Sequence, residues 1–216
     1  MAFGVVCISR TTAAGGENVG QVVAQRLGFR YVDEQIIELA AQQAQVEPAL
    51  VAKAEHRQPL LQRLLEKMTM GGQLAGSVSR ATGVPVVASP APDRAYANDL
   101  RMMIRAAIHE VAGAGQVVIV AHAASMALGS TEGVLRVLVT ASTHTRIRRV
   151  VEFERIIEAE AERRIAASDR ERQEYFQRFY QLHQELPTHY DLVINTDVLT
   201  AAQAASVILA AAQTPA

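Results

Sequence analysis

The chain has 216 residues, half of them apolar, and a formal net charge of −1. This length suffices for one α/β domain with a small insertion, and the near-neutral charge argues against nucleic acid or an anionic membrane as the main partner. No N-terminal signal pattern and no apolar run of about 18 residues is present, so we expect a cytoplasmic protein. The single cysteine, Cys7, permits no internal disulfide and is expected in the core.

The first strongly patterned stretch combines a strand, a polar turn and the start of a helix. Residues 5–8 are apolar and rich in β-branched side chains, as in a strand buried on both faces. Residues 9–18 are small and polar and contain Gly15-Gly16, and apolar residues at helical spacing begin with Val19. A glycine-bearing turn before a helix offers unpaired N–H groups and a positive dipole end to an anion. The stretch therefore predicts either a phosphate-binding loop or only a tight turn.

The turn departs from the nucleotide-binding pattern G-x-x-x-x-G-K-[ST]. Arg10 stands where the first glycine would be, and Gly16 stands where the lysine would be. The only lysines of the chain, Lys53 and Lys67, lie far from the turn in sequence. A phosphate-binding lysine would therefore have to come from a distant helix.

Apolar runs and helical patterns alternate along the rest of the chain. Strands are predicted at residues 28–33, 116–120, 134–139 and 190–195, and helices at residues 35–69, 96–112, 143–185 and 201–212. Residues 71–93 are rich in Gly, Ser and Pro and are predicted to be a mobile loop or a hinge. This alternation predicts a parallel sheet covered by helices on both faces, with ligands bound at the carboxyl ends of its strands. Asp33, His122 and Ser142 fall at that edge.

The region 143–185 is rich in charge of both signs. Its nine arginines are balanced by nine acidic residues, so local pairing on a solvated helix is the expected role of most of them. The region is predicted to be one long helix or two helices divided near Ala167-Ser168. The segment from Ser168 to Tyr175 is also compatible with a mobile lid whose arginines close over transferring phosphates.

The six histidines show no metal-binding spacing such as HxxxH or HExxH, so no metal site of protein ligands is predicted. His122, at the end of a predicted strand, is the histidine best placed for a ligand. A packed core or loop position explains it equally well.

Several of these segments together resemble a known family. They are the first strand with Ser9-Arg10 and Gly15-Gly16, the segment 27–33, the strand end 118–122, the strand 135–139 with Arg146, the Asp169-Arg170 motif with Arg172 and Tyr175, and the last strand 190–196. In this order the chain resembles the cytidylate-kinase-like family of P-loop nucleoside monophosphate kinases. The resemblance covers most of the chain and is weakest between residues 45 and 110.

The resemblance implies an α/β fold of three layers with a five-stranded parallel sheet. It implies a core of residues 1–35, 113–142 and 188–216, a helical nucleotide-binding insertion of residues 36–112 and a lid of residues 143–187. The implied reaction transfers the γ-phosphoryl group of ATP, with Mg²⁺, to CMP, dCMP or a similar small acceptor. The implied ATP-binding residues are Arg10, Thr12, Ala13, Ala14, Gly15, Gly16, Glu17 and Asn18, the acceptor residues Asp33 and His122, and the catalytic lid residues Arg146, Arg170 and Arg172.

The chain also departs from this family in two charged positions. Glu17 stands where the pattern G-S-G-G-R places a basic residue, and His122 stands where the strand end V-I-V-G-R has arginine. A carboxylate beside a bound triphosphate repels it, and a lost charge-assisted contact weakens binding about tenfold to a hundredfold. Two alternatives to an enzyme follow. One is a member that binds a nucleotide as a sensor or regulator. The other is a scaffold that keeps the fold and forms homo-oligomers through the helices of residues 143–185.

Overall fold

The computed structural model describes residues 3–33, 94–121 and 123–213. In chain order its elements are β1 Val5–Arg10, α1 Gly16–Leu27, β2 Arg30–Val32, α2 Arg94–Gly113, β3 Val117–Val120, α3 Ala124–Leu128, β4 Val134–Thr140, α4 Thr143–Glu154, α5 Glu158–Tyr180, a 3-10 turn Pro187–His189, β5 Leu192–Asn195 and α6 Ala201–Gln213. The chain forms two compact units, Met1–Ile36 with Arg105–Ala216, and Ile37–Ile104. The sheet lies in the first unit.

All five strands of the sheet run parallel, in the order β2-β3-β1-β4-β5. β1 lies at the centre, where Val5 pairs with Val117 of β3 and Val134 of β4. The carboxyl ends of the strands therefore meet at one edge, which is where ligands bind in sheets of this kind. The predicted fold class, an α/β protein with a five-stranded parallel sheet, is confirmed.

The central strands are buried along their whole length because helices cover the sheet. Every residue of β1 and of β3 is buried. Val19 and Val23 of α1 pack with Ala205 and Ile208 of α6 into one apolar cluster against the sheet. Cys7 is fully buried, as predicted, and burial raises the pKa of its thiol to about 12. This thiol therefore acts as an apolar packing group at neutral pH.

The structure departs from the predicted elements in several respects. β1 continues two residues beyond the predicted strand, because Arg10 still pairs with Val139 of β4. The break in the region 143–185 lies at residues 155–157 and not near Ala167-Ser168, because Arg155 adopts a left-handed conformation that ends α4. The short helix α3, directly after β3, was not predicted.

Several predictions lie outside the described residues, namely the helices at residues 35–69, the loop at residues 71–93, and the positions of Lys53, Lys67 and His122. The boundaries of core, insertion and lid stay a prediction. None of the helices in the described ranges combines the length and the apolar character that a membrane span requires.

Gly20 allows α1 to approach the sheet closely. A Cβ atom at this position would lie 2.5 Å from Cγ2 of Val120 and 3.2 Å from Cε2 of Tyr31. Val120 is fully buried, so the added methyl group forces buried side chains to shift. We expect Gly20→Ala to lower the free energy of unfolding by about 1–3 kcal/mol, measured by denaturant titration.

Gly113→Ala is the matched control for this substitution. Gly113 ends α2, and a Cβ atom there would meet no other atom within 4 Å. We expect this variant to be as stable as the natural chain or slightly more stable, because alanine has the higher helix propensity. Equal losses in the two variants would contradict the packing argument.

Candidate functional site

The glycine loop (residues 11–15) connects β1 to α1 and contains two left-handed residues. Ala13 has a φ of 61°, and Gly15, which directly precedes α1, has a φ of 80°. Gly15 gives the helix no side-chain cap. The first N–H groups of α1 thus lie at the positive end of the helix dipole without a capping side chain. This arrangement suits the binding of an anion.

Side-chain donors from other elements bind the carbonyl oxygens around the glycine loop. Arg172 Nη1 donates to Arg10 O at 3.0 Å, Arg146 Nε to Thr12 O at 2.7 Å, Arg149 Nη1 to Ala13 O at 3.1 Å, and Thr196 Oγ1 to Ala14 O at 2.7 Å. The donors come from α4, α5 and the end of β5. These hydrogen bonds therefore hold the loop backbone in place through its carbonyl oxygens.

Arg10 lies against the first turn of α1 and pairs with Glu17. Its Nη2 is 2.7 Å from Oε1 of Glu17, and its side chain is only 9% exposed, whereas that of Glu17 is 41% exposed. The Nε of Arg10 is buried and has no hydrogen-bond partner among the described residues. A Cβ atom on Gly16 would lie 2.6 Å from Cβ of Arg10, so glycine is required where Arg10 crosses the helix start.

Arg146 joins α4 to α5 as well as to the glycine loop. Its two terminal nitrogens donate to the carboxylate of Asp169 at 3.0 and 2.6 Å, and its side chain is 5% exposed. One residue before Asp169, the hydroxyl of Ser168 lies 2.5 Å from that of Thr12. Helices α4 and α5 therefore contact the glycine loop through both charged and neutral groups.

Arg172, on α5, forms the most buried ion pair near the loop. Its Nε and Nη2 donate to the carboxylate of Glu185 at 2.8 and 2.6 Å, and the hydroxyl of Tyr190 donates to the same carboxylate. Burial alone would raise the pKa of Glu185, but the hydrogen bonds and charge of Arg172 outweigh it and hold that pKa below its ordinary value. Burial raises the pKa of Tyr190, and the charge of Glu185 adds to the shift. The ion pair of Arg172 and Glu185 is therefore charged at neutral pH. Because Arg172 also binds the carbonyl of Arg10, the pair connects the segment after α5 to β1.

The sequence profile of the cytidylate kinase-like family matches residues 5–198, which is most of the chain. The chain belongs to the cytidylate kinase-like family. None of the curated proteins compared with the chain matches it.

Three solved structures illustrate how far the fold of this family member is shared. An uncharacterised protein from Eubacterium ventriosum is 14% identical, with a TM-score of 0.66 over 97% of this chain and 98% of its own. A shikimate kinase from Bacteroides thetaiotaomicron is 13% identical, with a TM-score of 0.51 over 97% and 98%. A shikimate kinase from Acinetobacter baumannii, in complex with shikimate, is 11% identical, with a TM-score of 0.50 over 96% and 91%. At these identities the likeness concerns the fold, which is that of P-loop kinases.

The remaining residues that the family resemblance suggests for the site differ in their exposure and in their contacts. Asn18 is exposed in the first turn of α1, and Arg170 is exposed on α5. Asp33 follows β2 and accepts a hydrogen bond of 3.4 Å from the hydroxyl of Tyr31. Burial raises the pKa of Tyr31, and the charge of Asp33 adds to the shift. His122 lies outside the described residues. Of the predicted lid arginines, Arg146 thus contacts the loop backbone, Arg172 contacts the end of β1 directly before the loop, and Arg170 faces solvent.

A cleft of about 490 Å³ opens beside the start of the glycine loop. It is lined by Thr11, Asp169, Arg172, Gln173, Phe176, Leu182, His183, Gln184 and Glu185. The lining thus includes the ion pair of Arg172 with Glu185 and the carboxylate of Asp169. It is large enough for a small polar molecule.

The family implies Mg²⁺ together with ATP, but the side chains around the loop do not suit the metal. The described residues contain no group of three His, Cys, Asp or Glu side chains that could hold a metal. The side-chain oxygens of residues 11–18 belong to the hydroxyls of Thr11 and Thr12, the amide of Asn18, and the carboxylate of Glu17, which pairs with Arg10. Because Mg²⁺ prefers carboxylate and phosphate oxygens, and the one carboxylate among these side chains is paired with a guanidinium, these residues do not form a magnesium site by themselves.

Sequence reasoning missed three residues that shape this site, namely Arg149, Thr196 and Glu185. Arg149 and Thr196 lie in segments that the sequence singled out, but nothing in their spacing indicates that they meet the glycine loop. Glu185 comes 13 residues after Arg172, and their pairing depends on the chain folding back after α5. Only the tertiary structure brings these groups together.

Proposed function

We propose that this chain binds ATP by its phosphates at the glycine loop and transfers the γ-phosphoryl group to CMP, dCMP or a similar small acceptor. The observation that carries the proposal is the buried guanidinium of Arg10, whose Nε has no partner among the described residues, beside the uncapped amino end of α1. A buried donor without an acceptor is costly, and a phosphate oxygen is a suitable acceptor for it. Membership of a kinase-like P-loop family supports the same reading.

In the proposed reaction an acceptor oxygen forms a bond to the γ-phosphorus while the bond from that phosphorus to the β–γ bridging oxygen breaks. ADP is the leaving group. Catalysis of this kind consists mainly of positioning and of stabilising the charge on the transferred group. Arg10 and the N–H groups of residues 15–18 would hold the phosphates, Arg170 would act from the lid, and Asp33 and His122 would line the acceptor side.

A second candidate function is nucleotide binding without transfer, as in a sensor or regulator. It is favoured by the carboxylates of Glu17, Asp169 and Glu185, which neutralise three arginines near the loop. Cations that are already paired contribute less to the stabilisation of a transferring phosphoryl group.

A calorimetric titration of the full chain with ATP, CMP and dCMP, followed by an assay of ADP release, separates the possibilities. Binding with ADP release that depends on the acceptor supports the kinase. Binding without release supports the sensor, and an absence of binding leaves only a scaffold. We expect binding of ATP and slow release of ADP with CMP or dCMP.

Arg10→Ala tests the central residue of this proposal. We expect ATP affinity to fall about tenfold, because a charge-assisted contact to the phosphates is lost. Arg148→Ala is the matched control, since Arg148 is 57% exposed on α4 and lies 4.0 Å from Glu152. Thermal melting of both variants identifies any loss that is due to unfolding. An unchanged ATP affinity in folded Arg10→Ala would show that Arg10 does not bind phosphate.

A further inference from the structure

Arg149 connects the glycine loop to the turn after β5. Its Nη1 donates to Ala13 O and to Thr196 Oγ1, each at 3.1 Å, and its Nη2 donates to Thr196 O at 2.6 Å. The hydroxyl of Thr196 in turn donates to Ala14 O at 2.7 Å. Two neighbouring carbonyls of the loop are thus bound by two side chains that also bind each other.

The backbone at this point is strained in a way that these contacts explain. Ala13 is a non-glycine residue with a φ of 61°, in the left-handed region that a Cβ atom disfavours. A residue stays in this conformation only when its surroundings enforce it. The hydrogen bonds to the carbonyls of Ala13 and Ala14 are the contacts that do so here.

Arg149 differs from the other arginines that reach the loop. Arg146 shares its guanidinium between the carbonyl of Thr12 and a carboxylate, and Arg172 shares its guanidinium between the carbonyl of Arg10, at the end of β1, and a carboxylate. The hydrogen bonds of Arg149 within the described ranges go to two carbonyl oxygens and one hydroxyl, and none goes to a carboxylate. Its N–H groups therefore hold the conformation of the backbone instead of pairing with a charge.

We propose that Arg149 and Thr196 are positioning residues for the phosphate site. By binding the carbonyls of Ala13 and Ala14 they fix the orientation of the following peptide groups, so that the N–H groups at the start of α1 face the ligand. This inference rests on the proposed function, because it assigns to these two residues the shape of the loop that would bind ATP. Neither residue touches the phosphates.

Binding measurements separate this role from a direct or a merely structural one. We expect Arg149→Gln and Arg149→Lys to weaken ATP binding about tenfold each, because lysine keeps the charge but not the forked geometry. Thr196→Val, which removes no charge, should weaken ATP binding to a similar extent, and Thr196→Ser should restore it. Arg148→Gln, the neighbouring exposed arginine, is the control and should bind as the natural chain does.

These affinities are measured by titration calorimetry well below the melting temperature of every variant. Variants that melt earlier but bind ATP with unchanged affinity would overturn the proposal, since the residues would then be only structural. Full rescue by Arg149→Lys would also overturn it, because charge and not geometry would be the cause.

A second measurement needs no nucleotide. The amide of Ala14 donates to Thr11 O at 3.1 Å inside the loop and Ala14 is fully buried, so its exchange with solvent reports loop order. We expect Arg149→Gln and Thr196→Val to accelerate this exchange, read by NMR on the ligand-free chain, relative to Arg148→Gln. Unchanged exchange would overturn the positioning role. If the natural chain binds no ATP while the exchange accelerates, the proposed function fails and the role in shaping the loop stands.

Discussion

Replacing Glu17 with arginine is expected to strengthen ATP binding by about tenfold to a hundredfold. In the natural chain the carboxylate of Glu17 lies 2.7 Å from Nη2 of Arg10, so it competes with a phosphate for the guanidinium. It also places a negative charge in the first turn of α1, where a bound triphosphate would be repelled. Glu17→Arg removes both effects and adds a donor. Calorimetric titration at low ionic strength, where screening is weakest, measures the change.

Glu17→Gln separates the two contributions, because it removes the repulsion without adding a cation. We expect Glu17→Gln to bind ATP more tightly than the natural chain and less tightly than Glu17→Arg. Glu132→Arg is the matched control, since it changes the net charge equally but lies before β4, at the opposite edge of the sheet from the glycine loop. If ATP affinity stays the same or falls in Glu17→Arg while the control is unaffected, Glu17 is not a competitor for Arg10.

Arg172→Met is expected to lower the free energy of unfolding by about 3–5 kcal/mol, because it leaves the carboxylate of Glu185 buried without its partner. The side chains of Arg172 and Glu185 are only 8% and 18% exposed. Arg178→Met, on the exposed side of the same helix, should cost no more than about 1 kcal/mol. Denaturant titration measures both values, and similar losses in the two variants would contradict the argument. The double variant Arg172→Met with Glu185→Gln should be more stable than Arg172→Met alone.

The same ion pair makes stability depend on pH, and the sign follows from Glu185. Its pKa is held below the ordinary value of 4.5 in the folded chain, after the opposing effect of burial. A carboxyl group of this kind stabilises the fold above its unfolded pKa and loses that contribution as the pH falls through its folded pKa. Below about pH 5 we therefore expect the natural chain to lose more unfolding free energy than the double variant. Parallel losses in both proteins would show that other carboxylates dominate.

The sheet could be predicted from the sequence because its strands are short apolar runs with a strong local pattern. Val117 to Val120 form such a run, and their complete burial in β3 matches it. The end of α4 could not be predicted, because Arg155 adopts a left-handed conformation that the sequence does not indicate. Glycine, the usual residue for this conformation, is absent there.

Among the ion pairs, likewise, those within one helix could be predicted from the sequence, and those between distant segments could not. Arg164 pairs with Glu160 one helical turn away, as the sequence predicted for most arginines of the region. Arg146 instead pairs with Asp169, 23 residues later, since α4 and α5 lie side by side. The meeting of Arg10 and Glu17 also depends on the conformation of the loop between them. Sequence patterns predicted the glycine loop as a candidate site, but they carried no information on which charges neutralise one another.

The attachment of the loop carbonyls to three separate elements has a consequence for motion. A hinge movement that carried α4 and α5 away together would exchange their three arginine hydrogen bonds, to the carbonyls of residues 10, 12 and 13, for hydrogen bonds to water. The glycine loop would lose these supports at the same moment, so the opening of the two helices and the loss of the loop's shape would be a single event.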